Sequence, residues 1–192
     1  GKNASPMELQ IEVDVLNRTL PAPKDWAFHL DLWQNPYSVA RYYQVPLWSK
    51  EHFDAMRPIM KMLANAGQRA ITTSIMHKPW AGQTEDHFDS MITRIKKIDG
   101  TWAYDYAVFD KWVEFMMNEI GIDDMISCYT MIPWALSFDY YDEATNRVQF
   151  LNTKPGDAAY VRRSRLSSKP IRSSRSRWPE IIIRKFNRTY TI

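Results

Sequence analysis

The sequence runs to 192 residues, 45% of them hydrophobic, with a formal net charge of +3. That length and content bury one real core or part of a larger one, which excludes disorder for most of the chain. The single cysteine, Cys128, excludes an intrachain disulfide and cysteine-based zinc spacing, and no run of about 18 apolar residues offers a membrane span.

The chain opens Gly1-Lys2-Asn3, without Met and a charged leader, so its start is expected to be a processing boundary with any export signal upstream. Glu8 to Leu16 alternates polar and apolar residues as an antiparallel strand would, and Pro21-Ala-Pro23 breaks it. Its partners are nowhere in the sequence that follows, so residues 1–23 are expected to be the last strand of an upstream domain plus a linker. Trp26-Ala-Phe-His-Leu-Asp-Leu-Trp-Gln-Asn-Pro36 then reads as a half-buried strand. Trp26, Phe28, Leu30 and Leu32 fall on one face, and His29, Asp31 and Trp33 on the other. Gln34-Asn35-Pro36 predicts a turn, and Tyr37 to Trp48 an aromatic loop.

Ser49 is placed to cap a helix with the stripe Phe53, Met56, Met60, Leu63 and Ala64, kinked at Pro58 and stopped by Gly67. Arg69 to Met76 is a β-branched strand that ends in His77-Lys-Pro-Trp80. Strand, helix, strand in that order implies a right-handed crossover between parallel neighbours, which sets their ends side by side. Residues 84 to 104 fit a helix or a hairpin turning at Asp99-Gly100, and the hairpin is preferred. Asp105 should cap a helix carrying Phe109, Trp112, Val113, Met116 and Ile120, closed by Gly121. Asp124 to Ile132 is a third core strand running into Pro133-Trp134. Leu136 to Tyr141 and Arg147 to Asn152 form a second hairpin around Asp-Glu-Ala-Thr-Asn.

Residues 161–192 differ from the rest, holding eight Arg and two Lys against one acid, Glu180, with six Ser and no folding period in their first part. An out-of-frame ending is the simplest account of such an abrupt change. The alternative, an Arg/Ser arm that meets nucleic-acid phosphates, finds no basic face in the body to extend it, and no nucleic-acid partner is expected.

His29, Asp31, Trp33, Gln34, His77, Trp80, Tyr129 and Trp134 all fall at or just past the ends of strands expected to be parallel, where α/β folds hold ligands. Indole faces stack on the C–H face of a pyranose while Asp, His and Gln bond its hydroxyls, so a sugar suits the group. Packing is the simpler account of any one of these residues; their shared placement favours binding. Glycoside hydrolysis needs two carboxyl groups, or one helped by a substrate acetamide. Asp142-Glu143 is adjacent, but lies where the hairpin must turn and is read as a turn, with Asp139 a weaker candidate.

Taken together, Trp26 to Pro36, Met62 to Gly67, Ile71-Thr-Thr73, Lys97 to Trp102, Phe109 to Trp112 and Tyr129 to Trp134 resemble the catalytic region of glycoside hydrolase family 123, over residues 8 to 160. The resemblance implies a bacterial α/β enzyme in which a β-sandwich precedes a (β/α)8 TIM barrel. It implies retaining, exo-acting hydrolysis of terminal β-N-acetylgalactosaminides: the acetamido oxygen attacks the anomeric carbon, an Asp orients it, and an adjacent Glu is the acid/base. No cofactor and no metal are implied, and the partner is a glycan ending in N-acetylhexosamine. The family's Asp-Glu pair belongs to a later barrel strand, so the catalytic role does not transfer to Asp142-Glu143. The expectation is therefore a partial barrel with inserted hairpins over residues 24–160, preceded by one sandwich strand. It should bind through Asp31, Trp33, Gln34, His77, Trp80, Tyr129 and Trp134, lack the catalytic pair and hydrolytic activity, and self-associate through open barrel edges. A non-catalytic carbohydrate-binding protein is the alternative. The full-length relative is expected outside the cytoplasm.

Overall fold

In the computed structural model, residues 5–79, 83–129, 137–154 and 156–158 are described. The Arg/Ser-rich stretch, Trp80 and Trp134 lie outside them. The fold is mixed α/β. Helices α1 (Pro36–Tyr43) and α2 (Lys50–Asn65) lead into β1 (Ala70–Ser74). A hairpin of β2 (Thr93–Lys96) and β3 (Trp102–Asp105) follows, then α3 (Ala107–Glu114), which continues as a π-helix over Phe115–Ile120. Next come β4 (Met125–Tyr129), β5 (Ser137–Asp142) and β6 (Arg147–Asn152).

β1 and β4 pair in parallel, Ala70 opposite Met125 through to Ser74 opposite Tyr129. All five residues of β1 are buried, as a strand with neighbours on both sides requires. Its other neighbour is the segment before Pro36, but here the expected strand shrinks to one parallel bridge, Leu30 with Gln68. Side chains replace the rest of the ladder. Gln68 Oε1 accepts from Leu32 N at 2.8 Å, and Gln34 Oε1 accepts from Thr72 N at 2.7 Å. The predicted apolar face is also corrected, since Phe28 and Leu32 stand exposed. A two-residue period buries a face only where a second layer covers it, and Phe28, stacked on the Trp26 ring, remains 56% exposed.

Residues 5–20 are a second correction. They form neither strand nor helix and are exposed throughout, because a lone strand leaves its backbone groups without ladder partners. The expected aromatic loop is a third: Asn35 accepts from Ser38 N and Pro36 occupies the first turn, so Asn-Pro starts α1 instead of ending in a coil.

Both amphipathic helices form over the expected residues. Ser49 Oγ accepts from His52 N at 3.2 Å, and Pro58 sits inside α2 without ending it. Phe53, Met56 and Met60 pack with Phe109, Trp112, Val113, Met116 and Ile120 in one core between the helices and β1. At the end of α2, Gly67 has φ +90°, and a Cβ there would meet Pro23 Cβ at 3.0 Å, so glycine is required twice over. Asp105 accepts from Ala107 N, one residue further out than a true N-cap, which is Tyr106.

Both hairpins form with the expected strands, turning at Asp99-Gly100 and at 143–146. Unforeseen was their union. β2 and β5 pair in parallel, Ile95 opposite Tyr141, giving one sheet in the order β3-β2-β5-β6.

His52 ties the entry of α1 to that of α2. The ring is fully buried, Nδ1 accepts from Trp48 N at 3.0 Å, and Nε2 therefore carries the proton and donates to the Pro36 carbonyl at 2.8 Å. Burial pulls its pKa below the ordinary 6.5, with the Pro36 bond opposing. An unfolded chain thus takes up this proton before the folded one does, so the stability that the neutral ring contributes is complete above pH 6.5 and declines as pH falls through that value. Urea unfolding should show a midpoint that drops on acidification, and His52→Asn should flatten that part of the slope. Equal slopes for the two chains would reject the assignment.

Candidate functional site

The C-terminal ends of three parallel segments meet where Asp31 and Trp33 approach β4. The Trp33 indole meets the Tyr129 ring edge-on, with centroids 5.4 Å apart and planes at 77°. Trp33 is 61% exposed. Partial burial raises the Asp31 carboxyl above its ordinary range, against a hydrogen bond from Gln68. Burial likewise raises the Tyr129 phenol, and the Asp31 charge adds to it. Trp33 and Tyr129 are thus brought together, with Asp31 two residues before Trp33 on the same segment.

Gln34 is not available to a ligand, a correction to its expected role. It is 2% exposed, its Nε2 donates to the Leu32 and Ala70 carbonyls, and its Oε1 accepts from Thr72 N. An amide at the end of a strand that lacks ladder bonds is drawn onto the neighbouring backbone, because buried N–H and C=O groups must be paired. Gln34 therefore aims its neighbours Trp33 and Asp31 rather than touching a sugar.

His77 belongs to a different grouping. Its Nδ1 lies 3.2 Å from Asp89 Oδ1, and its ring meets Phe150 of β6 at 5.3 Å. The loop after β1 is thus covered by the second hairpin. His29 is exposed.

The turn reading of Asp142-Glu143 agrees with its contacts. Asp142 accepts from Ala144 N at 3.0 Å and pairs with Lys96, while Glu143 pairs with Lys97 at 2.9 Å. Asp139 faces Arg94 Nη1 at 3.7 Å. Cys128 is no nucleophile: it accepts from Thr73 Oγ1, and burial pushes its thiol up to about 11. Among the described residues no cluster of His, Cys, Asp and Glu could hold a metal ion, and no helix is long and apolar enough to cross a membrane.

A carboxylate beside two aromatic rings can bind a pyranose but cannot by itself hydrolyse one. Sequence reasoning missed Gln68, whose amide mirrors that of Gln34, and Arg94. Neither carried a signal that a short window of sequence would show.

The model of the glycoside hydrolase 123 catalytic domain matches residues 33–165. Nine chains of solved structures match. One of these, a family 123 glycoside hydrolase from Clostridium perfringens described for glycolipid glycan hydrolysis, is 35% identical and superposes with a TM-score of 0.70. The match covers 77% of this chain and 27% of that one, so the chain spans little more than a quarter of its length. No curated protein matches.

Proposed function

Because this chain belongs to the glycoside hydrolase 123 family, we propose that it forms part of a (β/α)8 barrel and binds a terminal β-linked N-acetylgalactosamine at Asp31, Trp33 and Tyr129. The observation that carries this is the exposed indole of Trp33 set edge-on to Tyr129, with the Asp31 carboxyl two residues before it on the same segment. A pyranose C–H face lies on the indole, and Asp31 accepts from its hydroxyls. The segment at Leu30, β1 and β4 follow one another in parallel, each joined through helices, the order in which barrel strands are laid down. Hydrolysis in this reading uses the substrate's own acetamido oxygen with an Asp-Glu pair on a later strand. Asp142 and Glu143, held in their turn, do not supply it. The described residues therefore bind the sugar without cleaving it.

Trp33→Ala should weaken N-acetylgalactosamine binding about tenfold, the loss of roughly 1.4 kcal/mol of stacking, read by titration calorimetry. The wild-type chain should release no aglycone from an aryl β-N-acetylgalactosaminide. Release that Asp142→Asn or Glu143→Gln abolishes would overturn the reading, as would binding unaffected by loss of the indole.

A further inference from the structure

Gln68 lies between the end of α2 and the start of β1, and its side chain is committed to the segment before Pro36 and to the first residue of β1. Oε1 accepts from Leu32 N at 2.8 Å, and Nε2 donates to the Ala70 carbonyl at 2.6 Å. The second N–H of Nε2 is the donor for the hydrogen bond that Gln68 makes to the Asp31 carboxylate, since an amide oxygen cannot donate. Gln68 is 5% exposed, so water competes little for these bonds. The backbone adds two ties: Leu30 and Gln68 form the parallel bridge, and Arg69 N donates to the Leu30 carbonyl at 3.1 Å. Asp31 therefore stands between two residues fastened to the entry of β1, and its own carboxyl is bonded by the same amide.

A carboxylate that accepts an N–H bond is stabilised in its charged form, here against the burial that disfavours that form. The titratable groups around it are otherwise engaged or neutral. Tyr129 of β4, whose phenol the Asp31 charge raises, stays protonated throughout the acid range. Arg69 lies 3.3 Å from Asp124 and donates to the Trp26 carbonyl. His29, on the same segment as Asp31, is exposed.

We infer that Gln68 is a positioning residue of the sugar site, whose amide holds the Asp31 carboxylate as the acceptor for a sugar hydroxyl and thereby sets the acid limit of sugar binding. This rests on the glycan reading above. An ionised acceptor bonds a hydroxyl more strongly than the protonated acid does, so affinity is full above the Asp31 pKa and falls as pH drops through it. Without the amide N–H that pKa rises further, and the fall begins at a higher pH. A tie that was merely structural would lower affinity by one factor at every pH.

The test follows the Asp31 side-chain carboxyl carbon by NMR titration in the full chain, with N-acetylgalactosamine affinity measured by calorimetry over the same pH range. In the wild type the Gln68 side-chain N–H signals should move with the Asp31 titration, and Asp31→Asn should abolish that movement. Signals that stay still through the titration would overturn the inference, whether or not a Gln68 variant folds. In Gln68→Met the carboxyl should titrate at higher pH, and affinity in the acid range should fall about threefold to tenfold, with a smaller loss above it. An unmoved carboxyl titration in folded Gln68→Met would overturn the inference, as would an equal loss of affinity at every pH. A moved titration in a chain that binds no N-acetylgalactosamine at any pH rejects the glycan reading while the tie between Gln68 and Asp31 stands. Binding that needs the Trp33 indole but is equal in wild type and Gln68→Met at every pH does the reverse.

Discussion

Trp112→Ala is expected to cost about 4 kcal/mol of folding stability, as the loss of the largest fully buried side chain among the described residues should. The indole is wholly buried between Trp48 and Phe115, and its Nε1 donates to the Thr72 carbonyl at 3.0 Å, in the middle of β1. Alanine leaves a cavity at the junction of α2, α3 and β1 and removes a buried hydrogen bond in the same step. Domains of this size are stable by roughly 5–15 kcal/mol, so most of that margin would go. Urea unfolding should show it as a fall in midpoint. Trp112→Phe separates the two contributions: it keeps most of the volume and should lose only the bond, about 1–2 kcal/mol. A loss under about 1 kcal/mol in the alanine variant would mean that the core closes over the gap and that the indole is not central to it.

Gln34→Leu should cost about 2–4 kcal/mol and weaken glycan binding as well. Leucine fills similar space but leaves the Thr72 N–H without its acceptor in a buried setting and frees the Leu32–Trp33 segment from β1. Gln34→Glu is the sharper probe. It keeps an oxygen for Thr72 N but sets a second one against the Leu32 and Ala70 carbonyls, so it should do no better than leucine. Normal binding of N-acetylgalactosamine by Gln34→Leu would show that Trp33 and Asp31 hold their places without this staple.

The long amphipathic helices and both hairpins were legible in the sequence because their signals are local. Ser49 and Gly67 bracket α2, the stripe from Phe109 to Ile120 marks α3, and Asp99-Gly100 turns the first hairpin. Asn35-Pro36 carries two meanings, strand end or helix start, and only the bond from Ser38 N decides between them. Trp26 to Trp33 has the alternation of a strand, but pairing needs a neighbour in register. β1 offers that backbone at one bridge and through two glutamine side chains, which periodicity does not encode. At the site, aromatic residues at strand ends pointed to Trp33 and Tyr129, while Gln34 was misjudged because an amide suits a sugar and a backbone equally well. Arg94 gave no signal at all: its partners lie on a carbonyl and on a strand more than forty residues away, and no short window contains both.

The parallel seam between β2 and β5 has a consequence for the order in which the chain is made. The first hairpin leaves the ribosome complete, but its inner edge stays bare until α3, β4 and then β5 have been synthesised. Closing that seam means closing a loop from Ile95 to Tyr141, and until then the Arg94 charge has no Asp139 beside it. The hairpins can each form early, since their contacts are local, whereas the sheet that joins them is a late event that waits on distant chain. A translational pause before β5 would therefore hold a nascent chain with an open sheet edge and an unbalanced cation, which is the moment at which it is most open to capture by a chaperone or by another nascent strand.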